Sequence, residues 1–227
     1  MSKKDDTMRL DLPAIGYAVY RPRPLGSKGG PFAMRRDRPA KREAADITSE
    51  RQPARFVLRE RTMAQHDATE AAFAPFDLSR EEHYRAFLAA HAMALPGLEL
   101  AVTGRGWPQW TPRFPQLADD LAALGAFLPM PIIASDARGA AAWGVQYVIE
   151  GSRLGGQLLV RQVPDGLPTR YLSPPVDHGA RWRAFCDALD GEAAQHGPDW
   201  LDEASDSAIE TFQHFRRAAQ ALSEDLS

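Results

Sequence analysis

The sequence has little of what most specialised chemistries require. It holds a single cysteine, Cys186, which excludes an intramolecular disulfide and a cysteine-ligated metal cluster and fits a reducing compartment. It has no strong excess of either charge: 27 Lys and Arg stand against 30 Asp and Glu, a formal net charge of -3. That balance excludes a basic nucleic-acid binder and an acidic tail protein. A long apolar run is also missing. The nearest candidate, 140–160, is interrupted by Glu150 and Arg153, so no membrane span is expected. The amino terminus lacks the apolar core of a secretory signal. There is no Walker loop, no His-Glu-x-x-His zinc helix, no Gly-x-Ser-x-Gly elbow and no Gly-x-Gly-x-x-Gly turn after a strand. These absences leave a soluble, cytoplasmic protein as the expectation.

Two compositions share the chain. Residues 1–51 are rich in Pro, Gly, Arg and Lys, as in Arg21-Pro-Arg-Pro and Met34-Arg-Arg-Asp-Arg-Pro39. They carry no helical periodicity and one short strand signal at Ala14–Tyr20. This is a basic, disordered arm, either an inert extension or a contact for an acidic partner. From 52 to 223 the pattern is that of an all-α domain, with strand signals few.

A helix is expected from Pro53 to about Ala74, with Arg59, Thr62, Met63, His66, Glu70 and Phe73 on one side. The next spans about 79–95, opened by a capping box of Ser79 and Glu82 and punctuated by Pro96-Gly97. A segment near 98–103 continues as helix. A connection at 104–115, a short helix at Asp119–Leu124 and an apolar loop at Leu128–Ala134 follow. Then come a glycine-bearing helix at Trp143–Val160, a helix opened by Asp177 or His178, and a last helix from about Trp200 to Leu222. His83 and His91 read as surface or stripe residues, His196 and His214 as exposed, and none is assigned chemistry.

Two helices carry features that ordinary packing does not require. In the first, His66 lies among Leu58, Met63 and Phe73, with Glu70 one turn on and Arg59 about two turns back. Glu70 can accept a hydrogen bond from the imidazole, which would fix its tautomer and strengthen it as a metal ligand. The same pattern also suits a half-buried histidine in an i,i+4 pair. In the second, Gly151, Ser152, Gly155 and Gly156 interrupt an apolar helix. A helical glycine costs about 1 kcal/mol relative to alanine, and the usual compensation is close approach of something to the backbone. Either another helix or a flat ligand would serve. A metallated macrocycle between the two helices, with histidine as axial ligand, would explain both.

From Phe56 to about Leu222 the chain resembles a heme oxygenase of the bacterial biliverdin-producing branch. The resemblance is carried by Leu58-Arg59-x-x-Thr62-x-x-x-His66-x-x-x-Glu70, by Tyr147-Val-Ile-Glu-Gly151-Ser152-Arg-Leu-Gly155-Gly156 and by Arg181-Trp-Arg183-Ala-Phe185. It implies a single-domain helical bundle with a glycine-kinked distal helix. It also implies His66 as the axial iron ligand, with Glu70 bonded to it. Arg59, Tyr147, Arg181 and Arg183 would bind the heme propionates. Gly151, Gly155 and Gly156 would form the distal wall, with Ser152 where the mammalian branch has an aspartate. The implied reaction converts heme, both cofactor and substrate, with O2 into biliverdin, CO and ferrous iron. Electrons would come from an external ferredoxin or reductase, since no flavin or nicotinamide motif is present, and a phytochrome is one acceptor for the bilin. A non-catalytic heme carrier or sensor on the same scaffold is the alternative.

Overall fold

The computed structural model describes residues 52–173 and 177–224. The arm expected at 1–51, with the short strand signal at Ala14–Tyr20, lies outside the described residues. Six helices follow one another: α1 (Ala54–Phe73), α2 (Glu81–Ala101), α3 (Phe114–Ala123), α4 (Gly139–Leu159), α5 (His178–Ala193) and α6 (Pro198–Ser223). A short 3-10 turn, Val160–Gln162, extends α4. Among the described residues there is no strand, as the periodicity implies. None of the helices is long and apolar enough to cross a membrane.

The last helix in the chain is the central one in space. α6 packs against α4, α1 and α2 together. Its apolar residues Leu201, Ala204, Ala208, Phe212, Phe215, Ala218 and Ala219 are all buried, and small residues on this stripe let neighbours come close. At the α4 crossing a Cβ on Gly144 would stand 2.1 Å from the Ala204 carbonyl oxygen. The two backbones therefore touch, which only glycine permits. Because α6 is covered on more than one side, His214 is buried with 4% exposure, contrary to the exposed position its sequence neighbours suggest.

α1 buries Ala54, Leu58, Thr62, His66, Thr69 and Phe73. Its threonines are tolerated inside because Thr62 donates to the Leu58 carbonyl (2.7 Å) and Thr69 to the Gln65 carbonyl (2.8 Å). Arg55 pairs with Asp187 and Asp190 on α5, and Arg61 with Asp202 on α6. Met63, placed beside His66 by spacing, is instead 49% exposed.

α2 departs from its sequence reading at its start and at Pro96-Gly97. It runs without a break through Pro96, and the helical segment expected near 98–103 is its last turn, ending at Ala101. A proline there removes one helical donor. The loop after α3 lies on this stretch: the Ile132 amide donates to the Met93 carbonyl at 2.8 Å. A Cβ on Gly97 would stand 2.3 Å from the Ile132 carbonyl oxygen, so Pro96-Gly97 is a docking place for a loop, not a stop. At the start, Arg80 is the cap residue and no side chain caps it. Asp77 takes both the amide (3.0 Å) and the hydroxyl (2.7 Å) of Ser79, which leaves no capping box.

Candidate functional site

His66 is buried, 7% exposed, and its ring meets Phe212 of α6 edge-on at 5.9 Å. Nδ1 lies 3.3 Å from the Asp67 carboxylate and Nε2 lies 3.6 Å from Glu70. The second distance exceeds a hydrogen bond. With Nδ1–H donating to Asp67, Nε2 keeps its lone pair. Burial lowers the imidazole pKa, opposed by Asp67, so the ring is neutral at neutral pH. Glu70 was expected to orient this histidine, but Asp67 makes that contact and Glu70 faces the other nitrogen. Burial, reinforced by the Asp67 charge, raises the Glu70 pKa to about 7. The donor atoms of His66, Asp67 and Glu70 lie within 4.8 Å of one another.

A cavity of about 370 Å3 opens beside this cluster. It is lined by Asp67, Glu70 and Ala71 of α1, by the rings of Phe73, Phe76 and Phe87, and by Leu159 and Gln162 at the end of α4. Gly151, Ser152, Gly155 and Gly156 are not among its lining residues.

The glycine stretch of α4 divides into two stripes. Ser152 and Gly156, four apart, meet the chain behind the helix. The Ser152 hydroxyl accepts from Arg113 Nη1 at 2.6 Å and donates to the Ile149 carbonyl at 2.8 Å. A Cβ on Gly156 would stand 2.6 Å from the Leu172 carbonyl oxygen. The close approach at Gly156 is thus to a loop backbone, neither to a helix nor to a flat ligand. Gly151 and Gly155, both buried, form the neighbouring stripe, turned by roughly 100° about the helix axis.

The remaining candidates scatter. Arg59 on α1 and Tyr147 on α4 come near each other. Burial pushes the tyrosine pKa up, and the Arg59 charge acts against that rise. The Tyr147 ring lies 5.7 Å from that of Trp182. Arg181 is committed elsewhere: its Nε and Nη2 hold the Glu150 carboxylate at 2.8 and 3.1 Å, and its guanidinium covers Trp107 at 4.8 Å. A buried carboxylate needs such a cation, since removing one partner strands a charge. Arg183 is exposed on α5.

Sequence reasoning missed the groups behind α4. Glu99 of α2 accepts the backbone amides of Arg113 and Phe114. Arg113, 5% exposed, donates to Ser152 and also to the Tyr171 carbonyl at 3.0 Å, while its guanidinium covers the Tyr171 ring at 4.3 Å. Asp120 receives the amides of Arg170 (3.1 Å) and Tyr171 (2.8 Å). The available signal was an arginine within the connection at 104–115, which reads as surface charge in any one sequence.

A curated heme oxygenase of Xanthomonas campestris pv. campestris (strain 8004) is 34% identical to the chain over 118 residues, spanning 45% of this chain and 68% of the relative. The chain belongs to the heme oxygenase family. No protein-family model matches it. The fold is similar to that of a heme oxygenase from Neisseria meningitidis solved with NO and CO bound, with a TM-score of 0.65 at 22% identity, covering 77% of this chain and 94% of the other. At that identity the likeness speaks for the all-α heme oxygenase fold alone. Family membership makes the chain an enzyme of heme oxygenase type and sets aside the carrier alternative.

Proposed function

We propose that the chain opens heme to biliverdin, CO and ferrous iron, with His66 as the axial ligand of its substrate. Bound heme supplies the iron that takes up O2 and the porphyrin edge that is oxidised. What supports the reading is a buried imidazole held at Nδ1 by Asp67, with Nε2 3.6 Å from Glu70, next to a largely apolar cavity that Asp67 and Glu70 both line. With Nδ1 engaged by Asp67 and Glu70 beyond hydrogen-bond distance, Nε2 is the nitrogen that can act as a ligand. A neutral imidazole suits iron, and an orienting carboxylate at the opposite nitrogen strengthens it. The residues therefore fit the group.

In this reading Asp67 holds the ring and Glu70 leaves Nε2 when heme enters. Arg59 and Tyr147 meet the propionate edge from α1 and α4, and exposed Arg183 adds a cation from α5. Gly151 and Gly155 form the distal wall, where the missing Cβ atoms admit a plane against the helix. Their backbones exclude bulk water on that side. Ser152 faces Arg113 and anchors the helix from behind. The reading carries with it a cytoplasmic setting, electrons from a ferredoxin or reductase, and a phytochrome as one acceptor of the bilin.

Hemin titration of wild type and His66→Ala tests it, followed by ascorbate under air. Wild type is expected to give a sharp Soret band that decays as a bilin absorption grows. The variant should lose or shift that band. Saturable binding without bilin formation would overturn the catalytic reading, and an unchanged Soret band in the variant would remove His66 as ligand.

A further inference from the structure

Behind α4 lies a cluster of charged groups. The guanidinium groups of Arg153 and Arg181 hold the Glu150 carboxylate, and the Glu99 carboxylate takes the backbone amides of Arg113 and Phe114. Arg113 is its hub. Its backbone amide is held by Glu99 of α2, one guanidinium nitrogen by Ser152 of α4 and another by the Tyr171 carbonyl. The loop it grips is fixed a second time by Asp120, through the amides of Arg170 and Tyr171. One residue further, the Leu172 carbonyl lies so close to Gly156 that no Cβ fits between them. Three segments distant in sequence are thus pressed on the back of the stretch that carries Gly151 and Gly155.

We propose that Arg113 is a positioning residue for heme cleavage: by fixing Ser152 and clamping Tyr171–Leu172 behind Gly156, it sets the depth at which Gly151 and Gly155 face the substrate. This rests on the reading of those two glycines as the distal wall. A helix with glycines on two stripes has weak intrinsic stability, so its path depends on what holds it. A guanidinium with two good bonds and a ring beneath it holds a fixed geometry that a lysine cannot reproduce. Because Ser152 already accepts from Arg113 and donates to Ile149, its hydroxyl is an anchor in this arrangement and not a proton donor to the other face.

The test compares Arg113→Met, Arg113→Lys and Ser152→Ala with wild type in two measurements. The first is amide hydrogen exchange of the heme-free protein. Arg113→Met should speed exchange across 151–158 by about 10-fold or more, the scale of a lost charged hydrogen bond, with peptides of α1 and α6 unchanged. Ser152→Ala should give a smaller rise in the same peptides and add nothing to Arg113→Met. Arg113→Lys should fall between wild type and Arg113→Met. The second is the isomer composition of the biliverdin formed, read with hemin affinity. Arg113→Met should bind hemin within about twofold of wild type yet release a broader mixture of isomers.

Unchanged exchange at 151–158, acceleration spread over the whole bundle, or an unchanged isomer ratio would each overturn the proposal. Should Arg113→Met fail to fold, Ser152→Ala decides alone by the same two readouts. Failure of wild type to bind hemin would instead strike the functional reading, while the exchange measurement would still judge the clamp.

Discussion

Two polar regions lie inside this bundle, and they are held in opposite ways. Around His66 the contacts are long, 3.3 Å to Asp67 and 3.6 Å to Glu70, and a cavity adjoins them. Behind Ser152 the contacts are short and complete: 2.6 Å from Arg113, 2.8 and 3.1 Å between Arg181 and Glu150, 2.8 Å from Arg153 to the Thr111 carbonyl. Exposure separates the two regions in part: the Asp67 and Glu70 side chains are 69% and 30% exposed, whereas those of Glu150 and Arg153 are 1% and 13% exposed. Satisfaction separates them further. Fully bonded charge rigidifies a core, whereas a poorly bonded nitrogen beside space is available to a ligand. One helix presents chemistry, and the other is braced from behind.

The sharpest break of this contrast is His66→Ala. Turnover of hemin should fall by more than about 100-fold, beyond what loss of a mere orienting partner costs, and added imidazole should recover part of it. Heme-free stability should change little by comparison, which a thermal melt would register. Glu150→Ala probes the braced side and should do the reverse. Removing a carboxylate that is 1% exposed leaves Arg181 and Arg153 without their partner, at about 3 kcal/mol or more. The melting temperature should drop by roughly 6 to 12 °C.

Asp67→Asn sharpens the His66 side. It should weaken hemin affinity about 10-fold, the scale of losing a ligand's orienting carboxylate, and Glu70→Gln should weaken it less. Equal effects would mean that both carboxylates orient the ring. Gly156→Ala puts a Cβ 2.6 Å from the Leu172 carbonyl oxygen and should cost about 1 kcal/mol by overpacking, read in urea unfolding. The smallest effect concerns Cys186. Burial pushes its thiol up to about 12, against the opposing charge of Arg55. Native protein should therefore resist alkylation at pH 8 and react fully in denaturant, because only the thiolate is nucleophilic.

Helix positions were legible because their apolar residues recur at helical spacing. Leu58, Thr62, His66, Thr69 and Phe73 fall on the stripe that α1 buries. The two helices carrying the candidate chemistry stood out for the same reason: a titratable group and a run of glycines both violate an ordinary stripe. What could not be read depends on neighbours distant in sequence. Pro96 looked like a stop because the loop that docks on this stretch, through the Ile132 amide on the Met93 carbonyl, comes from far along the chain. His214 looked exposed because the central place of α6 is a property of topology, not of local pattern. Gly156 looked like part of a ligand wall until Leu172 was seen against it. Arg113 had no visible role, since its partners come from α2, α4 and the loop at 171.

The central helix is also the last of the six to leave the ribosome. Until α6 emerges, the faces of α1, α2 and α4 that it covers have no cover, and the nascent chain carries an open trough where the core will be. A release at about residue 198 would leave that trough permanently exposed, a species prone to aggregate and a target for chaperones and proteases. The part of the core that α6 covers is completed only once α6 has been made, and the Phe212 ring that meets His66 arrives with it.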